Sequence, residues 1–158
     1  MQDNARARPL AVWLLIALLI LLGVGAVPSG ALLILAPDGH LMQMPVSMLE
    51  HSPFSNFLIP GVILFTLLGI YPLVVAYSLW KRPGWRWPDA INPFKDAHWS
   101  WAASLAAGGV LVIWILVEVI MLRAFVFLHA LYLAWGIALV LLPLLPAVQR
   151  YCARQRTP

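Results

Sequence analysis

The most restrictive feature of the sequence is a set of four long apolar stretches, at about residues 10–27, 57–80, 99–121 and 126–147. A helix that crosses about 30 Å of hydrocarbon needs about 20 mainly apolar residues, and each stretch is close to that length. The chain is 63% hydrophobic and 10% charged, a composition that would aggregate in water. We therefore predict an all-α membrane protein with four transmembrane helices, in which residues 1–158 form a single integral membrane domain.

The basic residues are distributed unevenly between the two ends of these helices. Of the ten Lys and Arg residues, only Arg123 falls on the side that also holds four acidic or imidazole side chains: Asp38, His40, Glu50 and His51. Short loops rich in Lys and Arg stay in the cytoplasm. The pattern predicts a multi-pass protein of the bacterial cytoplasmic (inner) membrane with both termini in the cytoplasm. The nine basic residues on that side are Arg6, Arg8, Lys81, Arg82, Arg86, Lys95, Arg150, Arg154 and Arg156.

Two other interpretations of these features are disfavoured. The net charge of +4 is spread over three short segments, which favours contact with anionic lipid headgroups over nucleic-acid binding. The apolar run from Leu10 to Val27 is longer than the about 7 to 15 residues of a cleaved signal peptide, so we expect an uncleaved first helix. Cys152 is the only cysteine, which excludes an internal disulfide, and we expect a reduced thiol in the cytoplasm.

The segment after the first helix has the pattern of a small β-hairpin on the outer side. Pro28 is expected to end the helix, because proline cannot continue the hydrogen-bond ladder. Residues 31–36 and 40–44 then have the composition of two short strands. The turn that would join them suits a three-residue loop with a left-handed glycine, and it consists of Pro37, Asp38 and Gly39.

A helical turn and the second transmembrane helix are predicted next. Ser47 and Glu50 have the spacing of a capping box, which indicates a helical turn at the outer interface. Ser52 and Pro53 are expected to end that turn, after which Ser55 or Asn56 can cap the second helix. Pro60 lies in the first turn of this helix, next to Gly61. Pro72 lies well inside it and is expected to cause a kink that frees the carbonyl of Leu68.

The remaining segments predict an interfacial loop and a helical pair. Residues 81–98 contain too many prolines for a long helix, and the tryptophans at both ends favour a position at the inner leaflet surface. The third and fourth helices are joined near Arg123 by a turn so tight that they must be antiparallel neighbours. Small residues at spacings that allow close helix packing are Gly61, Gly69, Ala103, Ala107, Gly108, Gly109, Ala134 and Ala138.

Glu118 is the ionisable side chain that lies deepest in the predicted bilayer. A carboxylate in hydrocarbon costs about 2 to 3 kcal/mol even on the translocon scale, so it should face the bundle and find a partner. One interpretation is a polar binding cluster of Glu118, Arg123 and His129, with Glu50 or His51 from the loop. The other, which we favour, is an ion pair between Glu118 and Arg123, while His129 donates to a backbone carbonyl.

No motif predicts a metal site, a cofactor or a catalytic centre. His40, Glu50, His51 and His129 lack the spacing of zinc or di-iron ligands on a helix. Neither a phosphate-binding glycine loop nor a nucleophile motif is present.

The outer loop and the start of the second helix carry a recognisable series of short motifs. They are Pro37-Asp38-Gly39, Met44-Pro45, Leu49-Glu50, Ser52-Pro53-Phe54 and Phe57-Leu58-Ile59-Pro60-Gly61. This series resembles the first loop of a family of small bacterial four-span membrane proteins. The predicted order of elements, which is one span, an outer hairpin and three more spans, is similar in outline to that of claudin-like proteins. The resemblance implies an architecture and no activity.

Three functions fit these features. The first is a non-enzymatic accessory or scaffold protein that binds a protein partner or a second copy of itself through the outer loop and the helix faces, surrounded by membrane lipids. An open hairpin edge favours such pairing. The second is a small oligomeric transporter or channel that uses Glu118 and the kink at Pro72. The third is a lipid-acting enzyme with Glu118 or His129 as acid or base. We rank them in this order.

Overall fold

The computed structural model describes residues 8–153, which fold into a bundle of four long helices with two short ones at one end. Within that range, four helices are long and apolar enough to cross a membrane, which confirms the predicted number. Arg6, Arg154 and Arg156 lie outside the described residues. The helices are α1 (Leu10–Leu35), α2 (Leu58–Lys81), α3 (Arg86–Ile91), α4 (Trp99–Leu122), α5 (Phe127–Leu144) and α6 (Pro146–Cys152).

The predicted β-hairpin is wrong, because residues 31–35 are the last turns of α1 and no strand occurs between residues 8 and 153. Pro28 lies inside α1 and does not end it. Pro28 has no N–H for the carbonyl of Val24, four residues earlier, and the hydroxyl of Ser29 donates to the next carbonyl, that of Gly25, at 2.9 Å. A short run of apolar residues fits a strand or a buried helix equally well, and the helix satisfies its backbone without a partner strand.

Residues 36–57 form a compact loop, and the turn at Pro37, Asp38 and Gly39 is present in it. The N–H of Gly39 donates to the carbonyl of Ala36 at 2.9 Å, and Gly39 has a φ of 78°. The chain then makes two 3₁₀ turns, His40–Met42 in place of the second predicted strand and Val46–Leu49. Ser47 lies inside the second 3₁₀ turn and caps nothing, so the predicted capping box is wrong.

The loop packs onto the end of the bundle through a small apolar cluster. Phe57 is 2% exposed and contacts the buried side chains of Leu33 and Leu49. The N–H of Phe57 donates to the carbonyl of Pro37 at 2.8 Å, which closes the loop at its base. We call the end that carries residues 36–57 and 123–126 the loop end, and the other the terminal end.

Helix α2 contains a π-helical segment at Leu64–Ile70, one turn before Pro72. In this segment the N–H of Tyr71 bonds to the carbonyl of Thr66, five residues back. Pro72 has no N–H, and its ring presses on the carbonyl four residues earlier. The widened turn relieves that pressure, so the irregularity that the sequence predicted at Pro72 takes the form of a π segment just before it.

Helices α1 and α2 approach each other at two pairs of glycines. A Cβ atom on Gly30 would lie 2.8 Å from the carbonyl oxygen of Gly61, and one on Gly23 would lie 2.8 Å from that of Gly69. The two glycines are seven residues apart in α1 and eight apart in α2. The π segment takes up the extra residue, so both glycines of α2 face α1.

Helices α4 and α5 are antiparallel neighbours, as the short connection predicted. Arg123 ends α4 with a φ of 48°, which reverses the chain. Gly108 packs against the backbone of α5 at Leu139 and Val140, whereas Gly109 has open space around it. The indole N–H of Trp101 donates to the carbonyl of Pro143 at 2.8 Å, which joins the two helices near the terminal end.

The terminal end is held by polar contacts across the bundle. The hydroxyl of Tyr151 in α6 donates to the carbonyl of Leu79 at 2.9 Å and accepts from Nε of Arg8 at 3.2 Å. The N–H of His98 donates to the carbonyl of Cys152 at 2.8 Å. In the connecting segment, the indole of Trp85 stacks on another tryptophan ring at 5.7 Å. These contacts fix α6 against the ends of α1 and α2.

Candidate ligand-binding pocket

The loop half of the bundle contains a pocket of about 340 Å³ between α1, α2, α4 and α5. The loop roofs the pocket with Met42, Met44 and Leu49. Glu118 is the acidic residue on its wall, and no Lys or Arg lines it. The helical lining is Leu21, Leu22, Gly25, Ala26, Ser29 and Leu33 of α1, Pro60, Leu64 and Leu68 of α2, Leu111, Trp114, Ile115, Val117, Glu118, Met121 and Leu122 of α4, and Leu128, Tyr132 and Trp135 of α5, with Phe57 just before α2.

The pocket reaches the lateral surface of the bundle, because some of its lining residues are exposed there. Leu21 of α1 and Leu128 of α5 both line the pocket, and each is 58% exposed. Deeper in the pocket, Leu68 and Leu111 are almost completely buried. An apolar molecule could therefore enter from the side of the helices, without passing through the loop.

Two polar groups in the pocket lack partners. The carboxylate of Glu118 has neither a hydrogen bond nor an ion pair with any group in residues 8–153. Nε1 of Trp135 is buried and also without a partner. The hydroxyl of Ser29, by contrast, is satisfied by the carbonyl of Gly25. Glu118 is part-buried, so its carboxylate can meet a molecule in the pocket, whereas Nε1 of Trp135 is covered by protein atoms.

His129 lies close enough to Glu118 for an electrostatic interaction. Nδ1 of its ring accepts a hydrogen bond from the backbone N–H of Val126 at 3.1 Å. A backbone N–H can only donate, so Nδ1 is the acceptor in this contact. His129 thus serves as an acceptor that caps the start of α5, and the expected donation to a backbone carbonyl is replaced by this contact.

The structure separates the other candidate residues from Glu118. Arg123 is exposed at the end of α4, and within residues 8–153 it forms no ion pair with Glu118. Glu50 and His51 are exposed on the loop and do not line the pocket. Of the five residues in the predicted cluster, the structure brings only Glu118 and His129 together.

The residues predicted to shape the loop have local contacts. Asp38 and His40 are joined through Oδ1 and Nδ1 at 2.6 Å, and this hydrogen bond holds the pKa of the exposed Asp38 carboxyl below its usual value. Ser52 accepts from the N–H of Phe54 at 3.1 Å, next to Pro53. Asn56, one of the two predicted caps, accepts from the N–H of Leu58 at 3.0 Å.

Sequence reasoning missed the aromatic rings that α5 contributes to the pocket. Tyr132 and Trp135 are three residues apart on α5, and their rings stack at 5.9 Å with 15° between the planes. Their spacing was the available signal, because residues three or four apart share one side of a helix. Trp114, four residues before Glu118, lines the pocket from the same face of α4 as Glu118.

Within residues 8–153, no group of three or more His, Cys, Asp and Glu side chains is placed to hold a metal ion. Comparisons of the chain with protein families, with curated proteins and with solved structures found no match. The pocket itself is therefore the basis for assigning a function.

Proposed function

We propose that the chain is a multi-pass protein of the bacterial cytoplasmic membrane, with both termini in the cytoplasm, and that it serves as a non-enzymatic accessory protein that binds an apolar, membrane-resident ligand. The orientation is supported by the described basic residues. One of them, Arg123, lies at the loop end, and those at the terminal end are Arg8, Lys81, Arg82, Arg86, Lys95 and Arg150. The loop end would then face the periplasm.

The lateral pocket is the observation that carries the ligand-binding proposal. Its volume of about 340 Å³ falls at the lower end of small-molecule sites. Its lining is mostly aliphatic and aromatic, and its opening lies on a surface that a bilayer would cover. A ligand dissolved in the outer leaflet could therefore reach Glu118 directly.

The packing below the pocket supports binding over transport. Leu15 and Leu19 of α1, Leu79 of α2 and Leu139 of α5 are all 0% exposed. An ion or substrate path needs polar groups along its whole length. In this half the core is mainly apolar, and the buried hydroxyls of Ser78 and Ser104 donate to backbone carbonyls of their own helices. The described structure therefore offers no continuous polar path below the pocket.

A lipid-acting enzyme is the second candidate. A carboxylate beside a lateral opening, with an imidazole within electrostatic range, could act as acid or base toward a lipid. Incubation of the purified protein with radiolabelled bacterial lipids should produce no new species. A product that is lost in Glu118→Gln would instead establish the enzyme.

Binding of a protein partner or a second copy through the loop and helix faces stays a prediction. It no longer depends on an open hairpin edge, because the loop contains 3₁₀ turns where strands were expected.

Ligand binding can be tested with two glycines that both have open space around them. Gly25 lines the pocket, whereas Gly109 does not. In nanodiscs, a diazirine-labelled fatty alcohol should crosslink to peptides of α1, α4 and α5. Gly25→Phe should abolish this labelling by filling the pocket, and Gly109→Phe should retain it. Equal labelling of the two variants would refute a pocket ligand.

The orientation can be tested separately. In a Cys152→Ala background, a cysteine placed at Glu50 should react with a membrane-impermeant maleimide in intact cells. A cysteine placed at Lys95 should react only after permeabilisation. The reverse pattern would invert the topology.

A further inference from the structure

We propose that the ligand of the lateral pocket is a lipophilic organic cation, an alkylammonium group on an apolar body that carries no phosphate. This inference rests on the proposed function and specifies the chemistry of its ligand. It is carried by the unpaired carboxylate, the aromatic rings that line the same pocket and the absence of basic residues from the pocket wall.

The carboxylate of Glu118 forms no hydrogen bond and no ion pair with any group in residues 8–153. Arg123 is exposed, and Nδ1 of His129 already accepts the N–H of Val126. An ionised carboxylate beside an apolar cavity is stabilised by a positive charge placed near it. A cationic ligand supplies that charge.

Aromatic rings line the same cavity. Trp114 and Phe57 belong to its wall, and the stacked rings of Tyr132 and Trp135 cover the α5 side. The face of an aromatic ring attracts cations, and tryptophan does so most strongly. Recognition of ammonium groups in proteins commonly combines such rings with a carboxylate, whereas an aliphatic ligand would need neither.

The composition of the wall argues against a phospholipid headgroup. No Lys or Arg lines the pocket, so a phosphate brought beside Glu118 would be repelled and left without a cationic partner. A phosphate-free amphiphilic amine therefore fits better than the ethanolamine group of a lipid.

The test compares two photoreactive probes that share one alkyl chain, a trimethylammonium and a neutral alcohol. The full-length protein is placed in phosphatidylcholine nanodiscs, and the apparent affinity is obtained from crosslinking at increasing probe concentrations. We expect the cationic probe to bind the wild type more tightly. Glu118→Gln should weaken its binding by about 30-fold and leave the neutral probe unchanged, since a partly desolvated charge pair is lost.

Two controls accompany the variant. Glu50→Gln removes an exposed carboxylate at the same end and should change neither probe. Glu118→Asp keeps the charge and should retain preference for the cation. The comparison of the two probes on the wild type needs no substitution, so it decides the inference even if Glu118→Gln fails to fold.

The outcomes separate this inference from the proposed function. Equal affinity for both probes would overturn the cationic ligand while ligand binding stands. Labelling by neither probe would overturn both. A further outcome is that phosphatidylethanolamine mixed into the bilayer competes with the cationic probe in the wild type and fails to compete in Glu118→Gln. That result would identify a lipid headgroup as the occupant and contradict the phosphate-free ligand.

Discussion

Alanine at Gly30 should destabilise the bundle strongly. Its Cβ would lie 2.5 Å from the backbone nitrogen of Phe65 and 2.8 Å from the carbonyl oxygen of Gly61, and neither atom can rotate away. The helices would have to separate by about 1 Å, a gap that forfeits about a quarter to a half of the dispersion energy at that crossing. Overpacking of this kind costs about 1 to 3 kcal/mol, and contact with backbone places Gly30→Ala near the upper value.

Gly25 provides the matched control, five residues earlier in the same helix. A Cβ atom there meets nothing within 4 Å. Gly25→Ala should therefore be neutral or gain up to about 1 kcal/mol from helix propensity. The two substitutions are chemically identical, yet their free energies of unfolding should differ by about 4 kcal/mol, or about 10 °C in melting temperature for a chain of this size.

The single thiol of Cys152 is 1% exposed and can report the unfolding. The detergent-solubilised variants are heated with a maleimide that becomes fluorescent when it reacts with a thiol. Gly30→Ala should release the signal well below the wild type, and Gly25→Ala at or above it. Coincident melting curves for the two variants would show that α1 and α2 are not in contact at Gly30.

Three further substitutions test other contacts. Trp101→Phe leaves the carbonyl of Pro143 without its donor and should cost about 1 to 2 kcal/mol in denaturant unfolding; an unchanged midpoint would refute the bond. Gly39→Ala forces a left-handed φ on a residue with a Cβ and should lower the melting temperature, whereas Gly84→Ala, in open space, should not. Burial raises the pKa of Cys152 from 9.0 to about 11, so the folded state keeps the proton while the unfolded chain ionises. The contribution of this thiol to the free energy of unfolding should be constant below pH 9 and fall by about 3 kcal/mol as the pH rises through 11. It is measured by tryptophan fluorescence as the difference in unfolding free energy between wild type and Cys152→Ala. A constant difference across that range would contradict the burial.

The four spans could be predicted because length and apolar content alone decide them. The outer loop could not, since the apolar run at residues 31–35 fits either a strand or a helix by its periodicity. The choice depends on whether Pro28 ends α1, and the contacts of Gly30 with α2 fix the chain as a helix beyond that point. Those contacts are between residues far apart in sequence, which a local pattern does not report.

The candidate site was likewise predicted only in part from the sequence. Glu118 was predicted to lie deepest in the bilayer and to face the bundle, and the structure places it on the pocket wall. The ion pair expected with Arg123 does not form, because Arg123 is the exposed residue at which the chain reverses after α4. The pocket is lined by four helices and the loop, so it depends on contacts between segments that no single helix encodes.

The π segment gives α2 one spare residue. In an ordinary helix, the loss of one residue turns everything beyond it by about 100° and moves a packed face away from its neighbour. Thr66 lies within the wide turn, with an exposed side chain that bonds only to the carbonyl of Val62. Removing Thr66 would return the turn to regular α-helical geometry and leave Gly61 seven positions from the other crossing glycine, the same interval that α1 uses. A deletion here should thus be tolerated where one elsewhere in α2 would misalign the bundle.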